Sequence, residues 1–107
     1  MSMRGWTRRA YAAAALLACA TPAFAATHTV TMEATAFAPA TLTVKKGDRV
    51  VWVNKDPFPH TATASAKAFD SGSVAAGKSW TYVAAKPGSF DYVCTFHPTM
   101  KGKLVVE

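Results

Sequence analysis

Cysteine is scarce in this chain. Two of 107 residues are cysteine, and one of them, Cys19, falls in a leader-like N-terminal segment. The rest holds a single thiol, Cys94, so it cannot form a disulfide within itself. Acid is scarce as well: six Asp/Glu stand against twelve Lys/Arg. Arg4, Arg8 and Arg9 belong to the leader, which has no acid, so beyond residue 25 nine cations face six acids, a formal charge of +3. The lysines are scattered rather than clustered, which gives nucleic-acid binding no support. No apolar run reaches the ~20 residues that span a bilayer, so stable membrane insertion is not expected. Nothing reads as a long helix, and residues 26–107 contain no internal repeat or low-complexity tract. Cys94 and His97 lack a third catalytic group and a Gly-rich oxyanion loop, and the chain is not read as an enzyme.

What is present begins with an export layout. MSMRGWTRRA is basic, AYAAAALLACA is mildly apolar, and Ala23-Phe24-Ala25 is a small-residue cleavage site. Residues 1–25 are therefore expected to be a signal peptide cut after Ala25, and 26–107 a single exported domain in the periplasm. Thr7-Arg8-Arg9 resembles a twin-arginine motif without its usual following residues, which leaves Sec and Tat export both open. Leu16-Leu17-Ala18-Cys19 weakly resembles a lipoprotein box; the Ala-Phe-Ala site is the better match. A lone thiol in an oxidising compartment needs a reason: burial, reactivity, pairing between chains, or a metal.

Short apolar/polar alternations separated by Gly and Pro predict an all-β domain. Thr27 to Thr35 places Val30, Met32 and Ala34 on one side. Thr41–Val44 repeats the pattern. Arg49–Asn54 is apolar on both faces and reads as a central strand. His60 to Ser65 is a weaker strand, Phe69 to Gly77 a loop, and Lys78 to Val83, Ser89 to Cys94 and Lys103 to Val106 complete seven or so strands. Parity puts Phe90, Tyr92 and Cys94 on the core face of their strand. Cys94 then points inward at a strand end, followed by a loop that carries His97 and Met100.

CTFHPTM spaces a thiol, an imidazole and a thioether three residues apart: Cys94, His97, Met100. His60 adds a second imidazole after Pro57-Phe58-Pro59. One thiolate, two imidazoles and a weak thioether make the donor set of a blue-copper electron-transfer site. Zinc is the rival on donors, but structural zinc takes four Cys or His ligands, and only three such residues sit in suitable positions. His28 is far in sequence from the cluster and reads as a surface residue.

NKDPFPHT together with YVCTFHPTMKGKLVV resembles the cupredoxins, type 1 blue copper proteins, and among them the amicyanin/plastocyanin group. FAPATLTVKKGDRVVWVN resembles the second and third strands of that family. The resemblance implies a Greek-key β-sandwich of about seven or eight strands with one copper ion, Cu+/Cu2+, held at one end by His60, Cys94, His97 and Met100. It implies a periplasmic one-electron carrier, expected as a monomer. The partner expected is a redox protein such as a dehydrogenase, a c-type cytochrome or an oxidase, docking near His97. A copper-binding module for storage, delivery or sensing would use the same ligands. The Cys-x-x-His-x-x-Met loop is as short as amicyanin's. Two positions depart from the pattern. Thr61 stands where the family usually has Asn, with Thr95 or Asn54 as its candidate partner. Val93 stands where plastocyanins place a Tyr, so that Tyr's role as an electron port is not carried over.

Overall fold

The computed structural model describes residues 25–107; residues 1–24, which carry Cys19 and nearly all of the expected leader, lie outside the described residues. Eight strands follow one another: β1 Thr27–Glu33, β2 Ala36–Ala38, β3 Thr41–Val44, β4 Arg49–Asn54, β5 Thr63–Ala64, β6 Ser79–Val83, β7 Gly88–Cys94 and β8 His97–Val106. They form two four-stranded sheets, ordered β2-β1-β4-β6 and β3-β8-β7-β5. The chain changes sheet at every connection from β2 to β7, which gives the Greek-key sandwich. β1 runs parallel to β4, and β3 runs parallel to β8. β4 lies inside its sheet, as its two-sided apolar character predicts: Val50 and Trp52 are fully buried while Val51 and Val53 are half-buried.

The strand reading differs from the structure in four places. β2 was not expected, because three residues are too few to show a period. β5 is only Thr63–Ala64, since His60 to Ala62 pair elsewhere. β8 starts at His97, so the expected ligand loop is part of a hairpin. Ala34 is not on the core face. It and Thr35 form the β1–β2 turn with φ of 55° and 58°, a left-handed conformation that non-glycine residues adopt at a cost.

The core is aromatic. The Trp52 ring centroid lies 5.4 Å from Phe69, 5.5 Å from Trp80 and 5.5 Å from Tyr92, the last at a 90° edge contact. The core-face parity of β7 holds: Tyr92 and Cys94 are buried and Phe90 packs beside them. The Tyr92 ring lies across Gly102, its partner in the β7–β8 ladder. Burial pushes the Tyr92 phenol up to about 12.

At one pole the Asp48 carboxylate accepts the N–H groups of Ala26 (3.0 Å) and Lys45 (3.0 Å) and pairs with His28 Nε2 (2.9 Å). The His28 and Lys45 bonds hold its carboxyl below the ordinary 3.8, against the opposing effect of burial. A depressed folded value means stability that is complete above 3.8 and lost as pH falls through the lower folded value. In the metal-free protein, Asp48→Asn should therefore flatten the acid fall of the melting temperature below about pH 4; thermal unfolding across an acid series checks this. A Cβ at position 102 would overlap the Tyr92 ring. Gly102→Ala should cost ~1–3 kcal/mol in urea unfolding, as overpacking does.

Candidate metal centre

The opposite pole collects the chemistry-bearing residues. After β4, Pro57 and Pro59 cannot donate to a ladder, and the chain leaves the sheet until His60. There it rejoins through two backbone bonds to Val74, at 3.2 and 2.8 Å. Asn54 braces the intervening turn. Its side-chain amide donates to the carbonyls of Phe58 (2.8 Å) and Val74 (2.9 Å), and its oxygen accepts the Asp56 N–H (2.9 Å).

Cys94 ends β7, buried and unbridged. Thr95 and Phe96 turn the chain, and His97 pairs directly opposite Cys94. The ladder resumes only at Val93 opposite Lys101, which leaves Pro98, Thr99 and Met100 as a wide bulge. Pro98 has no N–H for the ladder, which is one local reason that pairing stops there. Pro98 and Thr99 face solvent; Met100 turns inward and is buried, beside the end of β7.

Three of the four residues predicted from sequence converge on one point. Cys94 Sγ lies 3.6 Å from His60 Nδ1 and 3.9 Å from His97 Nδ1, and the three donor atoms are all within 4.8 Å of one another. A metal bonded at ~2.3 Å to sulfur and ~2.0 Å to an imidazole nitrogen, with bonds spread by ~120°, needs those two atoms about 3.7 Å apart. The gap is therefore the size of a metal ion. The donor set suits copper, with a thiolate, two imidazoles and a buried thioether, Met100, at the last position of the bulge.

The neighbours fix the donors. His60 Nε2 lies 2.7 Å from Asp56 Oδ2. An ionised carboxylate only accepts, so the ring proton sits on Nε2 and the Nδ1 lone pair faces the sulfur. The same carboxylate accepts the N–H groups of Ala34 (2.7 Å) and Thr35 (2.9 Å), which holds the left-handed turn. The bond to His60, then that from Thr35, keep the Asp56 carboxyl below its ordinary value despite burial. Asp56 was missed in the sequence, where it reads as a turn residue before Pro57. Its signal was an acid four residues before a candidate ligand. The Thr61 N–H donates to Cys94 Sγ at 3.3 Å, and the Thr95 N–H donates to Thr61 Oγ1 at 2.9 Å. Of the two partners considered for Thr61, Thr95 is the one found; Asn54 is engaged elsewhere.

His60 and Cys94 have no exposure, whereas His97 keeps an exposed edge. Phe58 is 39% exposed, its ring 5.2 Å from His60 and 5.6 Å from His97; Phe96, at the hairpin tip, is 52% exposed. His28 is at the other pole and takes no part.

The chain matches the cupredoxin-like domain over residues 9–106. Amicyanin of Paracoccus versutus is 34% identical to it over 71 residues, which is 62% of this chain and 54% of the relative. Amicyanin-alpha of Methylorubrum extorquens is 34% identical over 69 residues, 60% of this chain and 58% of the relative. Chloroplastic plastocyanin of Tetradesmus obliquus is 34% identical over 84 residues, 66% of this chain and 58% of the relative. The chain thus spans little more than half the length of these relatives. A solved Cu(I) amicyanin variant superposes with a TM-score of 0.72 at 28% identity, covering 76% of this chain and 82% of that one. A purple cupredoxin from Nitrosopumilus maritimus superposes with a TM-score of 0.68 at 23% identity, over 75% and 99% of the two chains, a likeness of fold alone.

Removing the Asp56 carboxylate frees the His60 ring. Asp56→Ala should weaken copper binding by about 10–100-fold, the usual effect of losing a partner behind a ligand, as measured by competition against a chelator of known affinity.

Proposed function

This chain belongs to the cupredoxin family, and from that premise we propose that it is an exported one-electron carrier. Its cofactor is one copper ion. In this reading His60, Cys94, His97 and Met100 hold the ion, and copper supplies a one-electron Cu(I)/Cu(II) couple there. The observation that carries the reading is the convergence of His60 Nδ1, Cys94 Sγ and His97 Nδ1 within 4.8 Å in a buried, braced pocket.

Each residue has a part in it. Asp56 and the backbone bridge to Val74 hold His60 in place, so the site does not rearrange when its charge changes. The Thr61 N–H draws electron density from the sulfur, which favours the reduced ion. Burial of Cys94 and Met100 keeps water from the donors. His97, at the exposed edge, is the point where an electron enters and leaves. Phe58, Phe96 and Pro98 around it offer a small apolar surface that suits a brief encounter with a redox protein such as a dehydrogenase, a c-type cytochrome or an oxidase. The basic leader and the Ala23-Phe24-Ala25 site support export to the periplasm with cleavage after Ala25. No described helix is long and apolar enough to cross a membrane.

The burial of three of the four donors favours a retained cofactor over a delivery module, whose ion has to be reached by an acceptor. The experiment is a spectrum of the purified protein with Cu(II). An intense visible thiolate-to-copper charge-transfer band is expected; Cys94→Ser abolishes it, and Met100→Ala shifts it without removing it. A colourless Cu(II) complex, or a band that survives Cys94→Ser, overturns the reading.

A further inference from the structure

A file of hydrogen bonds leads away from the donor cluster through Thr95, Thr61, Thr63 and Asp70. The Thr95 N–H donates to Thr61 Oγ1 at 2.9 Å. Thr61 Oγ1 lies 3.0 Å from Thr63 Oγ1, and Thr63 Oγ1 lies 3.0 Å from Asp70 Oδ1. The near end holds both segments that carry buried donors, because Thr61 follows His60 and Thr95 follows Cys94. The far end is pinned too. Asp70 Oδ1 also accepts the Gly72 N–H at 2.9 Å, and the Ser71 hydroxyl accepts the Ala62 N–H at 2.8 Å. The Ser71 N–H in turn donates to the Ala62 carbonyl at 3.0 Å.

The carboxylate anchors the file. The Thr63 hydroxyl is oriented to donate to both Thr61 Oγ1 and Asp70 Oδ1, and it owns one proton, while the ionised Asp70 carboxylate only accepts. The contact with Asp70 is charge-assisted and holds the Thr63 side chain in place. Thr63 in turn meets Thr61 Oγ1, which also accepts the Thr95 N–H and lies 3.2 Å from the Thr95 hydroxyl. Take the carboxylate away, and the Thr63 hydroxyl loses the anchor that keeps it against Thr61.

We propose that Asp70 is a positioning residue for the metal centre, acting through Thr63 and Thr61 to fasten the His60 segment to the Cys94 segment. This rests on the reading of His60 and Cys94 as copper ligands. Asp70 itself is exposed, on a loop between β5 and β6, and touches neither ligand.

The test separates the two claims by using the metal-free protein first. Thr63→Val keeps the side-chain shape and removes the hydroxyl; Asp70→Ala removes the acceptor; Asp70→Asn restores an acceptor oxygen in place. Amide hydrogen exchange at Thr95 should speed up about five- to tenfold in Thr63→Val and in Asp70→Ala, the worth of about one hydrogen bond. The double variant should be no faster than either single one, and Asp70→Asn should recover most of the protection. Val51 and Val105, in strand interiors, should not change. In the copper-loaded protein the reduction potential and the charge-transfer band should move in the same two variants and return in Asp70→Asn. Unchanged Thr95 exchange in Thr63→Val overturns the proposal, as do additive effects of the two substitutions. If Asp70→Ala unfolds because Gly72 loses its acceptor, Thr63→Val against a Thr63→Ser control decides alone. A wild-type protein that takes no copper overturns the functional reading, while Thr95 exchange still decides whether the file fastens the two segments.

Discussion

The contact on which the site depends is the one between Asp56 and His60. A metal-ready pocket needs an imidazole whose lone pair is aimed before any ion arrives, and a free imidazole has two nitrogens with equal claim to the proton. The Asp56 carboxylate removes that ambiguity at 2.7 Å. It is itself oriented by two backbone donors from a turn more than twenty residues earlier. The orientation of a candidate ligand is thus passed to a hairpin that contributes no donor to the cluster. The left-handed residues of that hairpin are stabilised by the same oxygens.

The arrangement has a counterpart at the other pole, where Asp48 accepts from Ala26 and Lys45 and pairs with His28. Both carboxylates flank β4, one just before it and one just after, and both reach residues just outside the span of β1. β1 and β4 are parallel neighbours, and no short turn can join parallel strands. A carboxylate and a histidine at each end do the joining. Only one of the two histidines has Cys94 and His97 beside it, and that separates a structural clasp from a candidate metal site.

Much of this was legible in the sequence, where its elements are local. Cys94, His97 and Met100 lie within one heptapeptide, and the alternation Phe90, Tyr92, Cys94 indicates which way the thiol points. The two-sided apolar run of β4 announces an interior strand. What escaped depends on pairs distant in the chain. Asp56 looks like a turn former because its acceptor role is defined by Ala34 and Thr35. The order Thr95, Thr61, Thr63, Asp70 cannot be seen without the pairing of β5 and β7. β2 and β5 are too short to show a period, and β8 was cut short because its first residues do not alternate.

The bulge in the β7–β8 hairpin has a consequence for how such a domain diversifies. Pairing pauses after Cys94 opposite His97 and restarts at Val93 opposite Lys101, so residues 98–100 bear on no cross-strand bond in the ladder below. Met100, the last of the three, is held by its burial and not by pairing. The sandwich and the tip of its last hairpin are in that sense uncoupled: a change of length across this three-residue stretch alters where a buried sulfur sits without asking any strand to find a new partner.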